Sequence, residues 1–234
     1  MEVAETDDRL IELANRRAAG EPLQYLTGTA AFRYLELAVG SGVLVPRPET
    51  ESVAELAMNL LPEGGRIVDV GTGSGAIGLA VADERPDADV WATDISDEAL
   101  VWAERNRQAL GKSVQIVKAD LFDGLEPALR GTFDVIVSNP PYIGPEERES
   151  LPVDVVDHEP EVALFATGGG TSIIQRLANE GTGWLKLGGS LVLEIGATQG
   201  EEVASILDKA GYQDVRVHPD LSGLPRVAVG KLGS

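Results

Sequence analysis

Asn139-Pro140-Pro141-Tyr142 is the segment of this chain whose residue types most need a chemical reason. The nitrogen of a carboxamide or of an exocyclic aromatic amine is a poor nucleophile, because its lone pair is delocalised into the π system. Two acceptors can hold its two N–H groups, orient the nitrogen and favour the charge that develops there. Asn139 offers a side-chain carbonyl and Pro140 a main-chain carbonyl. Proline rings hold φ at about −65°, so that geometry keeps little freedom. Tyr142 can pack on a planar group. No strong base is needed if the proton leaves after the transfer. Pro140-Pro141 alone would be an ordinary turn ending a strand; Asn139 before it and Tyr142 after it set this turn apart.

A second constellation lies upstream. Asp69-Val70-Gly71-Thr72-Gly73-Ser74-Gly75 falls between an apolar run and a helical pattern. Glycines there let the backbone turn tightly and come close to a ligand at a helix N-terminus. Two fingerprints overlap. Gly73, Gly75 and Gly78 fit the dinucleotide pattern GxGxxG, whereas Gly71, Gly73 and Gly75 behind an acid fit the loop that holds S-adenosylmethionine. Gly71 directly follows the strand, and that spacing prefers the second. Asp94 closes the next strand, where a carboxylate can accept from both hydroxyls of a ribose diol. Both cofactor classes use such an acid, so Asp94 alone does not choose. A tight helix-packing turn without a ligand is the plain alternative.

Positioning these residues requires a particular frame. Strands are predicted at 66–70, 89–93, 114–118, 133–138 and 190–195, with helices at 76–84, 97–110 and 201–210. Alternation of this kind means a parallel sheet covered on both faces. The segments 212–217 and 226–230 read as a closing antiparallel pair. Ligands bind at strand carboxyl ends in such sheets, which puts residues 71–75 and 139–142 at one crevice. Upstream, 7–19 reads as a helix stopped by Gly20 and Pro22. Residues 31–39 and 43–45 read as a hairpin turning at Gly40-Ser41-Gly42, and a helix runs from Glu49 to about residue 61. The proline- and glycine-rich stretch from the 140s to the 170s reads as one long irregular insertion.

Composition removes several classes. The formal charge is −19, from 19 basic and 38 acidic residues, and argues against stable binding to a phosphate backbone. With no cysteine and only two histidines, a disulfide scaffold, a thiol nucleophile and a cysteine- or histidine-rich metal site are excluded; no metal is expected. No signal peptide and no membrane-spanning run is apparent, so a cytoplasmic protein is expected.

Together the Asp-Val-Gly-Thr-Gly-Ser-Gly loop, Asn139-Pro140-Pro141-Tyr142 and Val45-Pro46-Arg47-Pro48-Glu49-Thr50-Glu51 resemble the HemK/PrmC family of protein-(glutamine N5) methyltransferases. Four further segments fit: residues 20–28, His158-Glu159-Pro160-Glu161, Glu194-Ile195-Gly196 with Gln199-Gly200, and Asp220-Leu221-Ser222-Gly223 with Arg226. The resemblance covers about residues 20–230. It implies a Rossmann-like α/β fold of class I methyltransferases, a seven-stranded sheet with the last strand antiparallel. It also implies methyl transfer from S-adenosylmethionine to the Gly-Gly-Gln glutamine of peptide chain release factors. Asp69, Gly71, Thr72, Gly73, Ser74 and Gly75 would hold the methionine part and Asp94 the ribose. Asp120, Leu121 and Phe122 would flank the adenine, with Phe122 lying against it, and Asn139 would also touch the cofactor. Asn139, Pro140, Pro141 and Tyr142 would hold the glutamine. Arg47 would shape that pocket or bridge to Glu49 or Glu51, and Glu194 would assist glutamine binding or act as a structural acid. His158 is better suited to fixing its loop than to acting as a base.

The resemblance divides the chain into 1–30, a remnant helix and linker of an N-terminal domain; 31–62, hairpin and connecting helix; and 63–234, the methyltransferase domain. Only one helix precedes Gly20, where the family usually carries several, which bears on docking of the substrate more than on catalysis. Residues 166–172 lack the acid usual in the family's Gly-Gly-x-Asp-Gly pattern. Alternative activities are methylation of a ribosomal-protein glutamine and methylation of adenine N6 or guanine N2 in nucleic acid. A non-catalytic nucleotide-binding module would explain residues 71–75 but not 139–142.

Overall fold

Arg66–Val70, the first strand of the alternating pattern, lies third in a sheet of seven and is buried on both faces. The structure is a computed structural model that describes residues 2–220 and 222–233, with side chains from residue 8 onward; Leu221 of the Asp220-Leu221-Ser222-Gly223 motif lies outside the described residues.

The chain begins with helices α1 (Glu2–Ala18) and α2 (Leu23–Thr27), then a hairpin of β1 (Thr29–Phe32) and β2 (Leu35–Ala38), then α3 (Thr50–Leu60). The alternating part follows: β3 (Arg66–Val70), α4 (Ala76–Glu84), β4 (Asp89–Asp94), α5 (Asp97–Leu110), β5 (Val114–Lys118) and β6 (Phe133–Ser138). Two one-turn helices, α6 (Val153–Val156) and α7 (Glu161–Leu164), precede α8 (Ser172–Gly181) and β7 (Leu185–Glu194). The described chain closes with α9 (Gly200–Lys209), β8 (Tyr212–Pro219) and β9 (Pro225–Leu232).

The sheet order is β5-β4-β3-β6-β7-β9-β8, with β9 antiparallel to both neighbours and the other paired strands parallel. From β3 the chain winds outward to β4 and β5, then crosses back to lay β6 on the other side of β3. The order therefore reverses between β3 and β6, and a crevice must open there at the carboxyl ends. Register fixes its walls: Asp69 pairs with Val137, and the Ser138 hydroxyl donates to Val70 O at 2.6 Å. Gly71 and Asn139 thus leave adjacent strands side by side.

Side chains of β3 alternate between two cores. Ile67 joins the core under α3, α4 and the hairpin, and Val68 and Val70 join the core under α8 and α9. Asp69 falls on the α4 face. Helix α5 is well specified locally: Ser96 caps it by accepting from Ala99 N, Asp97 and Glu98 sit in the first turn, and left-handed Gly111 ends it.

Three expectations are corrected. The hairpin turns at Arg33-Tyr34 and not at residues 40–42, and residues 43–45 form no strand. Arg33 takes the left-handed conformation with φ 51°; its N–H donates to Glu51 at 2.9 Å and its guanidinium pairs with Glu84. A tertiary anchor therefore makes the turn where no turn residue marks it. The strand predicted at 190–195 starts earlier, at Leu185, and β7 carries a bulge: Phe133 pairs with Leu185 while Val135 pairs with Ser190. The irregular insertion is shorter than expected, because α8 occupies its end and buries Ile174, Leu177 and Ala178 at helical spacing. No helix among the described residues is long and apolar enough to cross a membrane.

Candidate active site

The loop after β3 is built around two buried carboxylates. Gly71, Gly73 and Gly75 take φ of 72°, 57° and 87°, all left-handed. A Cβ on Gly71 or Gly73 would meet nothing closer than 3.8 Å, so the space beside these two is open. Gly78 is inside α4, where its N–H donates to Asp69 Oδ2 at 3.0 Å. Thr72 Oγ1 donates to the same oxygen at 2.6 Å. Asp69 Oδ1 is buried and has no partner. Burial pushes the Asp69 carboxyl up to about 6. Asp94 accepts from Gly73 N at 2.8 Å through one oxygen and from Ser96 N at 2.9 Å through the other, and burial raises it too. Thr93 O receives the N–H groups of Gly71 and Thr72, which pins the loop to the end of β4. Asn106 of α5 bonds Ser74 O and both main-chain groups of Ala38, tying the hairpin to the loop.

Asp69, Gly71, Thr72, Gly73, Ser74 and Asp94 line a cavity of about 240 Å³ that also takes in Thr50, Ile95, Leu121, Asn139, Pro140 and Pro141. A second cavity of about 210 Å³ is lined by Tyr142 and by aliphatic side chains, among them Leu44, Ile143, Leu151 and Val155. The two share Leu44, Arg47, Asn139, Pro140 and Ala163 in their walls. Asn139 and Pro140 therefore stand where one space meets the other.

A hydrogen-bonded chain lies behind that junction. Asn139 Nδ2 donates to Thr50 Oγ1 at 3.2 Å, and Thr50 donates to Glu194 Oε2 at 2.6 Å. The Tyr142 hydroxyl donates to Glu194 Oε1 at 3.2 Å. Burial raises both Glu194 and Tyr142. The end of the tetrad is clamped from the far side: Gln199 Nε2 donates to Tyr142 O at 2.8 Å and to Gly169 O at 3.1 Å.

Most residues singled out in the sequence meet at this crevice, but Phe122 and the partner of Arg47 need correction, Gly75 lines neither cavity, and Glu194 takes the structural alternative. Phe122 does not line either cavity; it is 1% exposed and stacks on Trp184 at 5.6 Å, inside the core beneath α8. The preceding Leu121, held at φ 55°, lines the first cavity instead. Glu194 is buried behind the wall and reaches the cavities through Thr50 and Tyr142. Arg47 lines both cavities, but its partner is Glu159 of the downstream motif and neither Glu49 nor Glu51. Glu159 also accepts from Val45 N, and burial raises it. Asp120 sits on the cavity rim, paired with Arg176 at 2.9 Å. His158 lines neither cavity and lies near Gly20. No group of three or more His, Cys, Asp or Glu among the described residues is placed to hold a metal.

The sequence assigns no site role to Thr50, Ile95 or Gln199, although Thr50 and Gln199 lie in segments that carry the resemblance. The signal for Thr50 is a hydroxyl between two acids in the Pro-Arg-Pro-Glu-Thr-Glu run. Ile95, an apolar residue directly after the strand-ending acid, is 51% exposed on the cavity wall.

The sheet order and the crevice between β3 and β6 define a Rossmann-like methyltransferase of class I. A methyltransferase from Pyrococcus furiosus shares the fold, with a TM-score of 0.62 at 21% identity over 99% of this chain and 100% of that one. The methyltransferase small domain family matches residues 26–162. Release factor glutamine methyltransferases are similar over nearly the whole chain. The one from Streptomyces coelicolor is 44% identical, and the one from Neisseria gonorrhoeae is 43% identical; each alignment covers 97% of this chain and 82% of the relative. The chain belongs to the release factor glutamine methyltransferase family.

Proposed function

We propose that this chain transfers a methyl group from S-adenosylmethionine to the side-chain amide nitrogen of a protein glutamine, the Gly-Gly-Gln glutamine of peptide chain release factors. The observation that carries the reading is the junction of two cavities at Asn139 and Pro140.

Three features of the first cavity suit S-adenosylmethionine. Two carboxylates, Asp69 and Asp94, line it and favour a cation over the pyrophosphate of a dinucleotide. The Gly73 and Gly78 N–H groups are already taken by those carboxylates and are not free for a phosphate oxygen. The unpaired Asp69 Oδ1 fits the ammonium of the methionine part. Asp94 retains lone pairs for the ribose hydroxyls, and Ile95 and Leu121 offer apolar surface to the adenine. When bound, S-adenosylmethionine supplies a methyl group on a sulfonium, a strong electrophile.

The chain's own residues prepare the nitrogen. The glutamine side chain would enter through the second cavity, along its aliphatic wall. Asn139 Oδ1 and Pro140 O accept its two N–H groups and hold the nitrogen against the first cavity. Those acceptors gain as positive charge develops on nitrogen, so they act mainly in the transition state. The surplus proton leaves to water after the transfer, and no residue here is needed as a strong base. Tyr142 packs beside the amide. We assign residues 63–234 to the methyltransferase domain, 31–62 to the hairpin and connecting helix that complete its crevice, and 1–30 to a helix and linker that precede them. The reading implies the cytoplasm, where release factors act.

Labelled-methyl transfer tests the proposal with release factor, ribosomal protein and RNA side by side. Label on the release factor glutamine is expected. Label on the ribosomal protein alone would shift the substrate, and label on RNA alone would overturn the assignment.

A further inference from the structure

Asn139 can serve as an acceptor only if its oxygen, and not its nitrogen, faces the substrate. The two ends of a carboxamide are nearly the same size, so shape does not choose between them. The choice is made behind the cavity wall. We propose that Glu194, acting through Thr50, fixes the direction of the Asn139 amide, so that both are positioning residues for methyl transfer. The inference rests on the role given to Asn139 above.

Donor counting carries the argument. An ionised carboxylate only accepts. Thr50 Oγ1 lies 2.6 Å from Glu194 Oε2, so its single proton is committed to that oxygen. Thr50 is then an acceptor toward Asn139, 3.2 Å away. The group facing Thr50 must be Nδ2, and Oδ1 must point toward the junction of the cavities. Glu194 Oε1 accepts from Tyr142, so one buried carboxylate anchors the first and last residues of the tetrad. Thr50 comes from the start of α3 and Glu194 from the end of β7, two elements on which no part of the substrate needs to rest.

The arrangement depends on the charge of Glu194. Burial opposes that charge and raises the carboxyl; the hydroxyls of Thr50 and Tyr142 and the Arg226 guanidinium favour the charge, and Glu49 opposes it. A protonated Glu194 could donate to Thr50. Thr50 would then be free to donate to Asn139 Oδ1, and the amide would turn its NH₂ to the substrate. Acid should therefore switch off positioning, an effect separated from the weaker cofactor binding that protonation of Asp69 brings by reading kcat at saturating cofactor.

The test compares Thr50→Val, Thr50→Ser and Glu194→Gln with the unmodified protein. Thr50→Val leaves a Glu194 oxygen without its donor and lowers stability, so Thr50→Ser, which keeps the hydroxyl, is measured beside it. Three quantities are read: kcat and KM for a glutamine acceptor, the cofactor Kd, and solvent exchange of the Asn139 side-chain amide protons, identified by their loss in Asn139→Ala. Thr50→Val is expected to lower kcat about tenfold or more with the cofactor Kd within about threefold, and to expose the Asn139 amide protons to exchange. Thr50→Ser should recover most of both. The unmodified protein should lose kcat in acid, and Glu194→Gln should have a lower kcat without that acid limb. Equal protection of the Asn139 amide in Thr50→Val and in the unmodified protein would overturn the proposal, as would equal losses in Thr50→Ser and Thr50→Val. A protein that methylates no glutamine but keeps this amide protected would support the orientation and remove the reaction assigned to it.

Discussion

Asp69 has one oxygen engaged by Thr72 and Gly78 and one with no partner, deep in the first cavity. Its carboxyl is raised to about 6 because burial disfavours the charge. The sign of the consequence follows from that. Without ligand, the folded state holds a proton that the unfolded chain releases near pH 4, so stability falls as pH rises from about 4 to 6, by roughly 3 kcal/mol in all. An ammonium placed on Oδ1 reverses the preference and favours the carboxylate. Cofactor affinity is therefore expected to rise with pH up to about 6, with Asp94 adding to the slope, and binding below that value should release protons. Calorimetry in buffers of different ionisation enthalpy measures both; Asp69→Asn should bind more weakly and with a shallower pH dependence. Asn139 makes a different prediction. Its contacts with the glutamine nitrogen strengthen as charge develops, so Asn139→Ala should lower kcat by about a hundredfold or more with cofactor Kd within about tenfold. Single-turnover methyl transfer and a binding titration separate the two, and unchanged turnover would remove the role given to Asn139.

At the scale of elements, the tetrad is held by segments far away in sequence. Gly170 is left-handed at φ 83°, and a Cβ there would lie 2.0 Å from Tyr142 O and 2.8 Å from Gln199 Nε2. Gly170→Ala must push the loop off Tyr142. It is expected to lower stability by about 1–3 kcal/mol and kcat by about tenfold or more, with smaller change in cofactor affinity. Thermal unfolding and steady-state kinetics check this, and wild-type kinetics in the variant would mean that the Gln199 clamp does not position the tetrad. The same long-range dependence explains what the sequence could and could not convey. All seven sheet strands were legible because each is a local apolar run bounded by turns, and residues 71–75 and 139–142 were legible because strand ends place them. The turn at Arg33-Tyr34 was not, since Glu51 and Glu84 make it. Phe122 reads as a ligand contact until Trp184 is seen to take its face. Arg47 reads as a partner for its neighbours Glu49 and Glu51, whereas its acid, Glu159, arrives from a loop more than a hundred positions on. Periodicity reports which side of an element is buried; it does not report against what.

For the whole molecule the relevant quantity is the charge of −19 and where it lies. The segment between β6 and α8 forms much of the second cavity through Ile143, Leu151, Val155 and Leu164. Around it Glu146, Glu147, Glu149, Asp157 and Glu161 are exposed, while Arg148 is neutralised by Glu161. The segment that walls the cavity assigned to the protein substrate thus presents exposed carboxylates. Such a segment repels a nucleic-acid backbone and attracts a basic protein, and it acts over distances at which exposed charges are screened, about 8 Å at physiological salt. Electrostatic attraction of this kind changes encounter more than chemistry. Raising salt from about 50 to 500 mM should therefore raise KM for an intact basic protein substrate by about tenfold, with little change in kcat. A short Gly-Gly-Gln peptide without basic flanks should show much less dependence, because the group proposed to bind at Asn139 and Pro140 is a neutral amide. Replacing Glu146, Glu147 and Glu149 by glutamine should flatten the salt dependence for the intact substrate and leave the peptide unaffected. A KM for the intact substrate that does not respond to salt would show that shape and apolar contact, and not the acidic segment, bring the substrate to the second cavity.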